Sequence, residues 1–297
     1  MRAGSLKELL TPNQVARALG VSEASLKRWC DKGLLQASRT VGGHRRLTVG
    51  GVMDFLRSSG HELVRPEVLG LPPATGKSEA AIDRVGTLVR AALEAGDQER
   101  LRRLIINLYL AGHTICEIGD RVIAPSFIEI GERWSHGDVE VYEERRGVEI
   151  CLRVLHEMRT MLTPPLTDAP LAIGATLQGD PYSLPGTLVE LTLAELGWRA
   201  QFYGVDHPAA TLEAAIREIK PRLFCLSISA LHDEDDFVAM YDTLFTTATA
   251  CNVPIAVGGR GITHGIRERI RYAAHCDTLA QLADFARALY VRPSTAS

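Results

Sequence analysis

Between Thr11 and Gly33 the chain spells two short helices hinged on a glycine, and this pairing constrains the N-terminal segment more than any other feature. Thr11-Pro12-Asn13-Gln14 opens the first. The threonine hydroxyl suits a cap, proline suits the first helical position, and Gln14 stands where it can reach back to the cap. Val15, Ala18 and Leu19 share one face before Gly20 ends the run. Ser22 caps a second helix, with Leu26, Trp29 and Cys30 inward and Gly33 beyond its end. Residues 35–40 read as a strand, Val41-Gly42-Gly43-His44-Arg45-Arg46-Leu47 as a tight hairpin, and Thr48 starts a third helix through Val52, Phe55 and Leu56. Two helices around such a turn, followed by a hairpin, predict a winged helix-turn-helix whose second helix enters the major groove.

Charge agrees. Residues 1–60 hold ten Lys/Arg against four Asp/Glu, a net +6, whereas the rest of the chain carries −9, together giving the net −3 of the whole. A basic head on an acidic body confines nucleic-acid binding to the head.

Over about residues 8–58 the segment resembles the MerR superfamily, including its excisionase-like branch, in its helix spacing, in Leu26-Lys27-Arg28-Trp29 and in the wing Gly42-Gly43-His44-Arg45-Arg46. The resemblance implies double-stranded DNA as partner. Ser22, Glu23, Ser25, Lys27 and Arg28 are expected to face the DNA, and Arg39, His44, Arg45 and Arg46 to put charge on phosphates beside or in the minor groove. A helix-turn-helix of this size covers two half-sites as a homo-oligomer, so a dimer or tetramer assembled through the C-terminal region is expected.

No apolar run is long enough to span a bilayer, and the N-terminus lacks the apolar core of a signal peptide. Six cysteines are scattered without a C-x-x-C pair, which argues against a disulfide framework and a zinc site and suits a reducing cytosol. A cytoplasmic chain with no membrane partner is expected.

Beyond the head (1–60), residues 61–78 are rich in proline and without periodicity, and read as a linker. Residues 79–165 read as a helical bundle: Ile82, Val85, Val89 and Leu93, a break at Gly96-Asp97, then Leu101, Ile105 and Leu108, a third helix near 114–124, and a last long one near 139–161. From 166 to 297 strands near 171–177, 198–203, 222–228, 254–257 and 272–275 alternate with helices near 188–196, 210–219 and 234–250. The predicted fold class is therefore multidomain α and α/β, ending in a flavodoxin-like parallel sheet that binds ligands at its strands' carboxyl ends.

Ser229-Ala230-Leu231, separated by 26 residues from Gly258-Gly259, and the run from Gly179-Asp180-Pro181-Tyr182 to Pro185-Gly186 resemble the signature of cobalamin-binding modules. Residues 130–138, with Trp134, look like the helical cap of those modules. With the head, the pattern over about residues 80–290 resembles the CarH and LitR light-dependent repressors, which hold adenosylcobalamin in the dark as tetramers on DNA and come apart in light. The resemblance implies Trp134 over the ring, Glu144 in the cap, and Asp180, Ser229, Leu231, Gly258 and Gly259 in the cofactor pocket, the serine and glycines around the nucleotide tail. It also marks departures. Tyr182 stands where the family's cobalt-ligating His belongs, Ser135 where a His follows the cap Trp, and Arg145 where a His follows the Glu. A phenol, with its ordinary pKa of about 10, is a poor ligand for cobalt(III) at neutral pH.

A tetrapyrrole pocket without that His leaves cobalamin, heme and a bilin such as biliverdin open, with His207 and His136 as candidate axial ligands and the identity of any metal unassigned. The function expected is a DNA-binding regulator, a repressor, whose C-terminal module senses a tetrapyrrole, in a light-dependent form or not. The alternative is a ligand-free module used for oligomerisation or partner docking. An enzyme, such as a corrinoid module of a methyltransferase, is disfavoured because the helix-turn-helix has no role in that chemistry. His232-Asp233-Glu234-Asp235-Asp236 reads as helix capping rather than a metal site, and no H-E-x-x-H or nucleophile-elbow motif occurs.

Overall fold

The structure, a computed structural model, describes residues 9–40, 42–59, 61, 64–69, 79–135 and 140–290. It divides into two compact units, Met1–Pro164 and Pro165–Ser297.

In the first unit, α1 (Pro12–Leu19) starts on the expected capping box: Gln14 N–H donates to Thr11 Oγ1 at 3.3 Å and Thr11 N–H to Gln14 Oε1 at 2.9 Å. Gly20, with φ +65, turns the chain out of the helix. α2 (Glu23–Asp31) is capped by Ser22, whose Oγ accepts from Ser25 N–H at 3.1 Å. The wing is an antiparallel pair, β1 (Ser38–Arg39) and β2 (Arg45–Arg46), shorter than the strand read from residues 35–40. α3 (Val49–Ser59) follows, with Gly51 N–H donating to Thr48 Oγ1. Leu10, Val15, Leu19, Leu26, Leu35, Leu47, Val52 and Phe55 form the head's buried core. Half-buried Trp29 lies 4.8 Å, centroid to centroid, from both Phe55 and His61, which ties α2 to α3.

The linker expected over 61–78 is not free at its start. Val64 and Arg65 N–H both donate to the Ala18 carbonyl at 2.9 Å. A single 3₁₀ turn, Pro66–Leu69, then buries Leu69 completely. Two backbone hydrogen bonds and one buried leucine leave no periodic pattern in the sequence. Residues 70–78 lie outside the described residues.

The bundle comprises α4 (Glu79–Ala95), α5 (Gln98–Leu110), α6 (Ile115–Ile118), α7 (Ala124–Ser135) and α8 (Val141–Arg159). A π turn, Gly119–Ile123, joins α6 to α7, so the helix expected to stop at 124 continues as one run. Val89, Leu93, Ile105, Ile123, Val154 and Met158 are buried in this unit. Arg102 closes α5 onto α8 with a two-pronged bond to Glu157, 2.6 Å from Nε and 2.5 Å from Nη2.

The second unit is a five-stranded parallel sheet: β3 (Leu171–Ala175), β4 (Arg199–Phe202), β5 (Leu223–Ser227), β6 (Ile255–Gly258) and β7 (Ala274–Cys276), in the order β4-β3-β5-β6-β7. Alternate strand residues feed two cores. Ile173, Phe224 and Val257 pack with Leu212, Ile216, Phe237 and Leu244; Ala172, Cys225 and Ala256 pack with Trp198, Leu193 and Leu282. The helices are α9 (Ser183–Glu195), α10 (Ala209–Ile219), α11 (Glu234–Ala250), α12 (His264–Arg269) and α13 (Leu279–Leu289). α9 starts five residues before the expected 188. Pro185 falls in its first turn, where no N–H partner is missed, and a β-carbon on Gly186 would stand 2.1 Å from the Phe202 ring. The chain leaves β3 for β4 on one side and returns to β5 on the other. The crevice at the carboxyl ends of β3 and β5 is therefore the switch point where such sheets bind ligands.

Among the described residues no helix is long and apolar enough to cross a membrane.

Candidate functional site

In the head, Ser22, Glu23, Lys27 and Arg28 are exposed along α2, and Ser25 is half-buried. Ser25 Oγ accepts from Arg28 Nη2 at 3.2 Å, which holds the guanidinium along the helix face. On the wing, Arg39 and His44 are exposed and Arg45 and Arg46 half-buried. A cleft of about 520 Å³ separates the wing from α1 and α2; Glu23, Lys27, Asp31, His44, Arg45 and Arg46 line it, with Asn13 at its edge. Ser22, Ser25, Arg28 and Arg39 do not line it.

Two lining residues were not singled out in the sequence. Asn13 Nδ2 donates to Glu23 Oε1, which orients that carboxylate. Asp31 accepts from Arg45 Nη2, and Arg45 Nη1 donates to the Lys27 carbonyl at 3.4 Å. The signal for Asp31 was an acid at the last position of a helix, where the macrodipole disfavours it unless a cation answers.

In the second unit, Thr176 directly after β3 is the hub of the loops at the sheet's carboxyl end. Its buried hydroxyl donates to the Asp180 carbonyl at 2.6 Å and accepts from Asp206 N–H at 2.9 Å. Asp206 Oδ1 in turn accepts from Gly179 N–H at 2.7 Å. Asp180 is only 3% exposed. Its Oδ1 accepts from Tyr182 N–H at 3.1 Å and its Oδ2 from Ser229 N–H at 2.5 Å, so one carboxylate clasps the loop after β3 to the loop after β5. Burial pushes this carboxyl above its usual range, against the opposing pull of the backbone N–H groups of Ser229, Tyr182 and Ala230.

Tyr182 caps α9 with extended backbone, and its side chain is 42% exposed. His207 Nε2 donates to the Tyr203 carbonyl at 3.0 Å, which leaves only Nδ1 for a further partner. Ser229 is half-buried, and Leu231 packs against the core beneath α11. Gly259 has φ +111, and a β-carbon there would stand 2.2 Å from the Ile228 carbonyl oxygen; on Gly258 it would stand 2.5 Å from that of Cys276. Both glycines are thus required by the chain's own backbone crossing.

Glu144, half-buried, and Arg145, exposed, lie near the start of α8 in the first unit. The backbone of Trp134 belongs to α7, but its side chain, like His136, lies outside the described residues. Among the described residues no group of three or more His, Cys, Asp or Glu is placed to hold a metal ion. Burial pushes the Cys151 thiol up to about 12 and, with Asp277 adding to it, Cys276 to about 11, so both stay protonated within the core.

These residues do not fit a corrinoid ligated from below by a protein histidine. The position is a phenol, and the neighbouring carboxylate is engaged by backbone N–H groups.

The head and the parallel sheet together define a helix-turn-helix DNA-binding transcriptional regulator that carries a cobalamin-binding-like domain. Residues 9–60 match the family model described as Helix-turn-helix domain. The HTH-type transcriptional repressor CarH of Myxococcus xanthus is 26% identical over 272 residues, 83% of this chain and 87% of that protein. The repressor CarA of the same organism is 21% identical over 258 residues, 83% and 85% of the two chains. Among solved structures, the monomethylamine corrinoid protein of Methanosarcina barkeri is similar in fold, with TM-score 0.59 and 17% identity over 69% of this chain and 98% of that one.

Proposed function

We propose that this chain is a transcriptional repressor that grips double-stranded DNA as a homo-oligomer, and that its C-terminal module takes a tetrapyrrole without a protein histidine beneath the ring. The observation that carries the DNA half is the exposed row on α2, with Lys27 and Arg28 beside a wing bearing Arg39 and His44. That is the arrangement by which a recognition helix meets base edges while the wing meets phosphates. The relatives' names as repressors support the sign of regulation.

The ligand half rests on the switch-point crevice. Tyr182 and Tyr203, 42% and 38% exposed, stand in the loops after β3 and β4 at the sheet's carboxyl end and offer flat aromatic surface to a ring system. The corrinoid protein of the same fold favours a corrinoid among tetrapyrroles; heme or biliverdin meets the same surface. A response to light belongs to the corrinoid form of this reading.

A second reading, a ligand-free module serving oligomerisation or docking, is favoured by one observation. Asp180, Gly258 and Gly259 all have roles in the fold itself. Absorption spectra of purified protein, after incubation in darkness with adenosylcobalamin, hemin and biliverdin separately and removal of free pigment, decide between the two. A retained, shifted band names the ligand. No retained band with any of the three establishes the ligand-free module.

A further inference from the structure

Arg45 has the sequence position of a phosphate contact and the structural position of a brace. It reaches from β2 to the end of the recognition helix, where Asp31 Oδ1 accepts from Nη2 and the Lys27 carbonyl accepts from Nη1. The Arg45 side chain is 24% exposed and Asp31's is 59%, so the guanidinium is the covered partner and the carboxylate the open one. Asp31 is also the last residue of α2, where a carboxylate opposes the helix dipole and a nearby cation offsets that cost. The wing's own ladder is only two residues per strand, and the Leu10–Leu47 bridge beside it ties the wing's base to the residues before α1, not to α2.

We propose that Asp31 is a positioning residue for DNA binding: through Arg45 it latches the wing to α2, setting the spacing between the recognition helix and the wing cations Arg39, His44 and Arg46. The inference rests on the DNA-binding reading. It makes an acidic residue in a basic head favourable to binding a polyanion, the reverse of what charge alone dictates.

The test uses the full-length chain and a labelled mixed-sequence duplex of about 30 base pairs, with affinity measured across a series of NaCl concentrations. Asp31→Ala and Arg45→Ala are each expected to weaken binding by about threefold to fivefold. Both should leave the salt slope unchanged, and the double variant should bind no more weakly than the poorer single one. Asp31→Glu should restore most of the loss. In the free protein both alanine variants should speed amide exchange at Thr40 and His44, whose N–H groups close the wing. Tighter binding by Asp31→Ala, with Arg45→Ala losing about one unit of salt slope, would show two independent charges and overturn the latch. Additive losses, or no change in either variant, would also overturn it. Absence of salt-dependent binding by the unaltered chain would instead remove the DNA-binding reading, and the positioning role with it.

Discussion

Gly50 in the first turn of α3 lies so close to Met161, just beyond α8, that a β-carbon on it would stand 2.5 Å from the Met161 carbonyl oxygen. The Leu162 carbonyl oxygen would be 2.6 Å away. The head thus rests on the end of the bundle's last helix through a backbone contact that only glycine permits. α3 also carries Phe55, packed on Trp29 of α2. Two packed contacts therefore join the chain just beyond α8 to α2 by way of α3.

Adjacent glycines in α3 should answer alanine substitution differently. Either change gains up to about 1 kcal/mol of helix propensity. At Gly50 the methyl collides with two carbonyls, and overpacking of this kind costs about 1–3 kcal/mol. At Gly51 it meets Thr48 Oγ1 at 3.3 Å and the Gln36 carbonyl at 3.7 Å, a contact that small shifts relieve. Urea unfolding should show Gly50→Ala destabilised by about 1–2 kcal/mol and Gly51→Ala within about 0.5 kcal/mol of the parent. Equal responses would mean that α3 is not seated on the end of α8.

On the recognition helix, Lys27 and Arg28 are the exposed cations expected to meet DNA. Each phosphate neutralised contributes close to one unit to the slope of log affinity against log salt. Lys27→Ala or Arg28→Ala should weaken binding to mixed-sequence duplex and flatten that slope by about one. A side chain that reads a base instead would leave the slope and change only the preference among sequences, so titrations on two unrelated duplexes separate the roles. Unchanged affinity and slope in both variants would remove α2 from the interface.

Local chemistry made much of this architecture legible. Thr11, Gly20 and Ser22 mark helix ends because capping is decided within four residues, and the βα alternation marks the parallel sheet because each strand is an apolar run closed by a turn. What escaped depends on contacts distant in sequence. Pro185-Gly186 look like helix breakers until Phe202 is seen occupying the space above Gly186. Asp31 looks misplaced until Arg45, fourteen residues on, is found against it. α13 was legible and missed: Thr278 accepts from Gln281 N–H as a helix cap, and Leu282, Ala283 and Ala286 share a buried face. In the candidate ligand site, the sequence pointed to Asp180 and the glycine pair, but not to their use in clasping and crossing loops.

The Asp180 clasp has a pH signature with a definite sign. Its carboxyl titrates higher in the folded chain than its ordinary 3.8. The stability linked to that raised pKa is fully present below the unfolded value and is lost as pH rises through the folded one. Asp180→Asn removes the titration and sets an amide N–H₂ against one of the two backbone donors, a mismatch costing about 1–3 kcal/mol. Unfolding measured in urea from below pH 4 upward should therefore show the parent's advantage over Asp180→Asn greatest at the acidic end, shrinking as pH passes the folded pKa. An advantage that grows with pH would mean the backbone N–H groups outweigh burial and hold the carboxyl below 3.8.

Tyr182→His tests whether the crevice retains the geometry of a corrinoid site. The side chain is exposed and the backbone N–H that binds Asp180 is kept, so the substitution disturbs little of the fold. An imidazole with an ordinary pKa near 6.5 is largely neutral at pH 7.5 and available to a metal. After incubation with adenosylcobalamin in darkness and removal of free pigment, the substituted chain should retain more corrinoid than the parent, with a visible spectrum shifted by nitrogen ligation. Retention by the parent with an unshifted spectrum, together with a shift in Tyr182→His, would place the ring over residue 182. Identical retention and identical spectra in both would mean that residue 182 does not face the ring, and would move the ligand, if any, to another face of the module.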